Sequence, residues 1–508
     1  MRPRHAMTRL AVLATALLLI PSARGQSPPK PADPHRTSDA DAAPAVSHHE
    51  ISVGGKTLKY TATAGLTPIK NEKGEVEARI FSIAYTLDDQ GDKSKRPLMF
   101  SFNGGPGSSS VWLHMGALGP KRVEMPDDAE FAKPPFKLVD NEATWLDRTD
   151  LVFIDPVGTG YSRAAKPELN AKFHGLRGDI DSVGEFIRLY LSREDRWISP
   201  LYLVGESYGT TRAAGLSDSL VEKGIALNGI VLVSSVLNFQ TLQFATGNDL
   251  PYVLFLPTYA ATAWYHKKLP DDLQKDLKAT LADATRWAAG DYALALEKGD
   301  RLTTEERREI IAKLSRYTGL DASYIDSANL RVDIQHFCKQ LLRKEKMTVG
   351  RLDSRFKGVD ASNVSDTPEN DPSMSAIRPP YTATFNAYVR SDLAYRTDVP
   401  YHILGEGVGR WDFGVAGRGG FADTSSSLRD AMSKNPSMKV FVGSGYYDLA
   451  TPFFATEYTL AHMNLDEKQR SNVRLEYYEA GHMMYLHGPS LKKLKADVAG
   501  FLGDAVSK

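Results

Sequence analysis

The sequence has a single cysteine, Cys338, in 508 residues. That scarcity excludes an internal disulfide, so apolar burial must hold the fold together. An excess of charge of either sign is lacking too. Lys and Arg number 62, Asp and Glu number 62, and the formal net charge is zero. No basic run breaks the balance, so neither nucleic acid nor an anionic membrane surface is expected as a partner. Long apolar stretches are missing apart from residues 10–20, which are too few to span a bilayer. Sets of His, Cys and carboxylate residues at metal-ligand spacing are also absent. His48-His49-Glu50 has no further ligand at useful spacing and is expected in solvated linker, so no metal and no other cofactor is expected. The glycine-rich run at 101–110 lacks the G-x-x-x-x-G-K-[ST] pattern of a phosphate loop. The glycines at 405–409 and 414–420 lack the framing strand and helix of a dinucleotide site and are read as loop.

What is present is a globular composition, 42% hydrophobic and 24% charged. Arg2, Arg4 and Arg9 precede the apolar stretch, and small residues at Ala23 and Gly25 follow it. This predicts a secretory signal peptide over 1–25, cleaved before Gln26. Residues 26–49, rich in Pro, Ala, Asp and Ser, are expected as a flexible linker. An exported chain without a disulfide fits a bacterial periplasmic or secreted enzyme, with no membrane association after signal cleavage. Cys338 shares a helical face with Leu330, Ile334, Phe337 and Leu341, so a packed thiol is expected.

Along the chain, apolar alternation predicts antiparallel strands over 51–63, 78–87 and 96–102. Buried strands follow at 150–156, 201–204 and 229–235, with helices over 179–191 and 210–222 between them. Strands alternating with helices mean a largely parallel sheet wound on both sides. From 241 to 400 the pattern turns helical, over 271–296, 304–317 and 328–346, with a polar, proline-bearing stretch over 358–380. This region is expected as an insertion forming a lid over the strand ends. Strands return at 438–443 and 473–478, and a last helix spans 490–502. The expected fold is α/β, with one mixed, mostly parallel sheet built from 50–240 and 401–508 around the helical insertion at 241–400.

Residues 201–209 (LYLVGESYG) carry the chemistry. A buried strand runs into Gly205-Glu206-Ser207-Tyr208-Gly209, a G-x-S-x-G turn, and then into a helix. That is the nucleophile elbow of α/β-hydrolases: it lifts the serine hydroxyl out of the sheet, and the glycines remove side chains that would clash. Ser207 is the expected nucleophile. Its proton needs a base, and the base needs a carboxylate, in the order Ser, Asp or Glu, His. His462 falls inside an expected helix and His487 lies beyond the strand-end loop. His482 follows strand 473–478 and a short turn, where a loop presents an imidazole at the strand end. Asp448 follows strand 438–443 in the same way. The glycine turn after strand 96–102 stands where an oxyanion-hole N–H is supplied.

Four segments now resemble the serine carboxypeptidase family: 102–109 (FNGGPGSS), 205–209 (GESYG), 445–452 (GYYDLATP) and 480–482 (AGH). The resemblance covers about 51–235 and 398–501, and implies the α/β-hydrolase fold with Ser207, Asp448 and His482 as catalytic triad. It further implies an oxyanion hole from the N–H groups of Gly105 and Tyr208. Asn103, the Gly104 N–H and a protonated Glu206 would bind the substrate's terminal carboxylate. The implied partners are peptides with a free C-terminus, cleaved through an acyl-enzyme at a rate favoured by acid. Two departures stand out. The glutamate that supports this network in the family is replaced by Ala117, and a family cysteine by Ser108. Two other readings stay open: an acyltransferase or esterase on the same scaffold, and a non-catalytic binding protein that keeps the shell. Oligomeric state and side-chain preference are not legible.

Overall fold

Two central strands show how the sheet is buried. In Leu201–Ser207 and Gly229–Ser235, consecutive apolar residues enter different cores: Leu203 and Leu232 join one, Val204 and Val233 the other. Side chains alternate across a strand, so a strand apolar at every position needs cover on both faces. Each buried Leu, Val or Phe contributes about 1.5–3 kcal/mol.

The structure, a computed structural model, describes residues 43–506 apart from 90 and 416–419. The expected signal peptide at 1–25, and the expected linker up to residue 42, lie outside the described residues. The main sheet contains β1 (Ala45–Val53), β2 (Lys56–Lys70), β3 (Val76–Leu87), β4 (Leu98–Phe102), β5 (Asp150–Ile154), β6 (Arg163–Ala164), β7 (Leu201–Ser207), β8 (Gly229–Ser235), β9 (Lys439–Gly445) and β10 (Val473–Tyr478). Their order is β1-β2-β3-β5-β4-β7-β8-β9-β10, with β6 beside β3. Strands β1 to β3 pair antiparallel and β3 meets β5 antiparallel, whereas β5, β4, β7, β8, β9 and β10 run parallel. The sheet is mixed and mostly parallel, as expected.

The main helices are α1 (Leu176–Arg193), α2 (Tyr208–Glu222), α3 (Leu250–Tyr265), α4 (Leu277–Trp287), α5 (Thr304–Thr318), α6 (Ile334–Gln340), α7 (Pro372–Ser391), α8 (Ser425–Lys434), α9 (Phe453–Ala461) and α10 (Gly488–Val506). Helices α1, α2 and α8 cover one face through Phe186, Leu216 and Met432. Helices α7 and α10 cover the other through Phe385 and Leu494. Helices α3 to α6 build a third core with Tyr447 from the loop after β9 and Phe453 from the start of α9.

Several expectations change. The linker expected through residue 49 ends earlier, because Ala45–Val53 is strand β1. His48 meets Thr61 Oγ1 at 3.0 Å and the His49 ring stacks on Tyr60. An edge strand with one face toward water carries polar residues, so its composition resembles a linker's. The helix expected over 328–346 shrinks to α6, because Asn329 and Leu330 take positive φ and Asp333 caps the new start. Cys338 is buried there, and burial pushes its thiol pKa up. Helix α3 has no signature in the sequence pattern, because it is apolar around most of its circumference and lacks an amphipathic period. Helix α7 begins inside the stretch read as polar and holds Pro379 and Pro380 in its interior. Proline removes a helical hydrogen bond. The helix is kept by packing Tyr381, Phe385 and Val389 into the sheet's own core rather than into a lid.

Candidate active site

Strand β7 ends at Ser207, the residue that caps the start of helix α2, and its backbone sits at φ 59, ψ −130. A non-glycine residue held in such a conformation stores roughly 1–3 kcal/mol of strain. Its neighbours must approach closely. A Cβ on Gly205 would stand 2.2 Å from the Gly209 carbonyl oxygen, and one on Gly104 would stand 2.4 Å from the Tyr208 nitrogen. The loop after β4 therefore lies directly against the elbow. Tyr208 is the first residue of α2, so no preceding helical turn accepts its N–H.

Asp448 and His482 stand on loops after the adjacent parallel strands β9 and β10. His482 Nδ1 lies 2.8 Å from Asp448 Oδ2. Asp448 is fully buried but well solvated by donors: the N–H groups of Ala450 and Thr451 reach Oδ1 at 2.8 and 3.0 Å, and the Thr451 hydroxyl donates to Oδ2 at 2.7 Å. The His482 N–H donates to the Leu352 carbonyl at 2.6 Å, and its own carbonyl accepts from Ser234 Oγ at 2.6 Å. Burial pulls the imidazole pKa down, but the charge and hydrogen bond of Asp448, with the charge of Glu206, outweigh it and raise the pKa above its ordinary value. With Nδ1 engaged, Nε2 is the nitrogen left to accept a proton.

Glu206, beside the serine, is 3% exposed. Asn103 Nδ2 donates to its Oε1 at 2.9 Å and the Tyr485 hydroxyl to its Oε2 at 2.6 Å. Asn103 is oriented in turn by the Leu113 N–H, which donates to Oδ1 at 3.0 Å. Burial pushes the Glu206 carboxyl up to about 7, against the lowering effect of His482 and both hydrogen bonds. Beneath this cluster, the fully buried Arg212 donates to the Asn103 carbonyl at 2.7 Å and to Asp179 Oδ2 at 2.8 Å, with its guanidinium against the rings of Phe102 and Tyr208. A buried cation paired in this way clamps the loop after β4 to α2.

Asn103, Gly104, Gly105, Glu206, Ser207 and His482 line one cavity of about 120 Å³. Asp448 stands behind His482. The Tyr208 ring is buried away from the cavity, against Arg212 and Trp411, leaving its backbone at the elbow. The structure thus gathers the residues that the motifs single out. Trp112, Leu404, Met483, and Met374 and Ile377 of α7 add apolar wall, and Arg351 adds a cation. Ser108 accepts from Trp112 Nε1 at 2.8 Å. Ala117 is buried, its carbonyl bonded to Asn141 Nδ2 at 2.8 Å. The Tyr485 ring fills the space beside it, since a Cβ on Gly116 would stand 2.4 Å from Tyr485 Cε2. Sequence reasoning missed Tyr485, Thr451, Arg212 and Arg351. Thr451 and Tyr485 each lie three residues past a named residue, which is a usable signal. The two arginines carry none.

The family described as serine carboxypeptidase matches residues 71–487. Serine carboxypeptidase-like 51 of Arabidopsis thaliana is 30% identical over 169 residues, 31% of this chain and 33% of that protein. The pheromone-processing carboxypeptidase KEX1 of Cryptococcus gattii is 27% identical over 297 residues, 57% of this chain and 38% of that protein. The chain thus spans about a third of the length of these curated relatives. Among solved structures, the prohormone-processing carboxypeptidase of Saccharomyces cerevisiae aligns with a TM-score of 0.53 at 16% identity, over 87% of this chain and 91% of that one. At that identity the likeness is one of fold, and the fold is that of an α/β-hydrolase.

Proposed function

The chain belongs to the serine carboxypeptidase family, and on that premise we propose that it is a serine hydrolase that releases C-terminal residues from peptides through an acyl-enzyme. Ser207 Oγ attacks the last peptide carbonyl while His482 Nε2 takes its proton, and Asp448 stabilises the resulting imidazolium. The N–H groups of Gly105 and Tyr208 receive the oxyanion. The C–N bond then breaks, His482 returns the proton to the leaving amine, and water releases the acyl group from Ser207 by the reverse sequence.

The observation that carries the exopeptidase reading is Glu206: a buried carboxyl beside the nucleophile whose pKa is raised to about 7. While protonated it can donate to a peptide's terminal carboxylate, with Asn103 and the Gly104 N–H as companion donors. Tyr485 supports Glu206 where the family's second glutamate is replaced by Ala117. Glu206 and His482 each favour the other's charged form, so they titrate as a coupled pair. The productive state has both neutral. Binding is favoured by acid, and proton abstraction is limited at the acid end by His482. The expected signal peptide supports an exported enzyme, and the described residues contain no helix long and apolar enough to cross a membrane.

The test is release from an N-blocked dipeptide and from the same compound amidated at its C-terminus. A marked preference for the free acid is expected. Equal turnover would remove the exopeptidase reading, and transfer of the acyl group to an added alcohol in preference to water would favour an acyltransferase.

A further inference from the structure

Among the described residues lining the cavity, Arg351 is the sole lysine or arginine. It lies in an irregular segment, but its backbone is fixed. Its N–H donates to Asp371 Oδ1 at 3.1 Å, and its carbonyl accepts from the Leu449 N–H at 3.1 Å. The next carbonyl, that of Leu352, holds the His482 N–H at 2.6 Å. Arg351 is therefore mounted on backbone bonded to both loops that carry Asp448 and His482.

Its guanidinium is uncommitted. Among the described residues it forms no ion pair and no hydrogen bond. Neighbouring carboxylates are engaged by other donors: Asp353, two residues on, pairs with Arg355 at 2.7 Å, and Asp371, whose Oδ1 holds the Arg351 N–H, accepts at that same oxygen from the Ser373 N–H at 2.9 Å and from the Ser373 hydroxyl. The cation's field still reaches the site, where it opposes protonation of His482. A partly buried guanidinium with free donors matches a carboxylate in charge and in its planar fork. Both oxygens of Glu206, by contrast, already accept hydrogen bonds from Asn103 and Tyr485. Glu206 also loses its use as a donor when it ionises, whereas an arginine stays charged throughout.

We propose that Arg351 is a substrate-binding residue that holds a carboxylate of the peptide's departing C-terminal residue, an inference that rests on the carboxypeptidase reading and deepens it. The carboxylate has two possible sources, the terminal α-carboxylate and an acidic side chain on the last residue. The same guanidinium geometry suits either.

The experiment compares wild type, Arg351→Gln and Arg351→Lys on N-blocked dipeptides ending in alanine, alanine amide, aspartate and asparagine. KM and kcat are measured separately, and organophosphonate labelling of Ser207 reports an intact nucleophile. A lost charged hydrogen bond corresponds to about a ten- to hundredfold change. In Arg351→Gln, a fall of that size in the KM preference for alanine over alanine amide assigns the α-carboxylate. A fall confined to the preference for aspartate over asparagine assigns the side chain. Partial recovery in Arg351→Lys is expected in either case. If both preferences in Arg351→Gln equal those of wild type while Ser207 still labels, the proposal is overturned and the carboxypeptidase reading stands. If wild type itself shows neither preference, both fall.

Discussion

Replacing Glu206 by glutamine tests the charge logic of the site without emptying it. Glutamine has nearly the same volume, keeps an oxygen for Asn103 or Tyr485, and cannot ionise. In the unsubstituted protein burial holds the carboxyl near 7. It is then about 99% protonated at pH 5 and about 99% ionised at pH 9. Below the titration a neutral acid donates to the peptide carboxylate, and above it two anions face each other. A hydrogen bond to a charged group is worth about 1.5–3 kcal/mol, so KM for a free-acid peptide should rise about ten- to a hundredfold between those pH values. Meanwhile kcat should rise with pH as His482 loses its proton, so the two constants must be separated. Glu206→Gln should flatten the rise in KM, and an amidated peptide should show little of it in either protein. There is a substrate-free counterpart. The folded carboxyl titrates above its ordinary value of 4.5, so its contribution to stability is intact below 4.5 and is lost as pH rises through about 7. That loss is on the order of 3 kcal/mol by pH 9. Glu206→Gln should therefore gain thermal stability relative to wild type at pH 9 and show no such gain at pH 4. A variant that keeps the wild-type KM profile would refute the assignment of Glu206 as carboxylate sensor. Identical pH-dependent melting would refute the buried titration itself.

Ser207→Ala, His482→Ala and Asp448→Asn should each remove most turnover, with double mutants scarcely worse than the worst single one, because the three act as a unit. Additive losses, or organophosphonate on another serine, would sink that assignment. Tyr485→Phe removes a hydrogen bond that lowers the Glu206 pKa, so the alkaline rise in KM should move to higher pH; an unmoved inflection would show that Tyr485 does not act on Glu206. Gly205→Ala places a Cβ 2.2 Å from the Gly209 carbonyl oxygen and should destabilise by roughly 1–3 kcal/mol, read by denaturant titration. Activity should survive EDTA, since the motifs have no catalytic metal spacing; loss with EDTA and recovery with zinc would overturn this.

Local pattern carried much of this protein. The elbow is legible because a buried strand, a G-x-S-x-G turn and a helix must follow one another in the chain. Asp448 and His482 are legible because each follows a strand at a loop in the required order. The alternating core of β7 and β8 follows from period two. Other features have no local signature. The helix α7 reads as a polar, proline-bearing stretch because its stability comes from Tyr381, Phe385 and Val389 packing against the sheet, a contact no window of sequence contains. The first part of β1, residues 45–49, reads as linker because its polar residues face water while its hydrogen bonds are supplied by β2. The site divides in the same way. Sequence alone picked out the candidate nucleophile, base and acid, since in this fold they must occupy set positions on strand ends. Only the tertiary structure decided their environment, because desolvation and long-range pairing are properties of the assembled core. Tyr485 meets Glu206 across 279 positions and Arg212 reaches Asn103 across 109. It is that burial, rather than the identity of residue 206, that turns an ordinary carboxylate into an acid titrating near neutral pH.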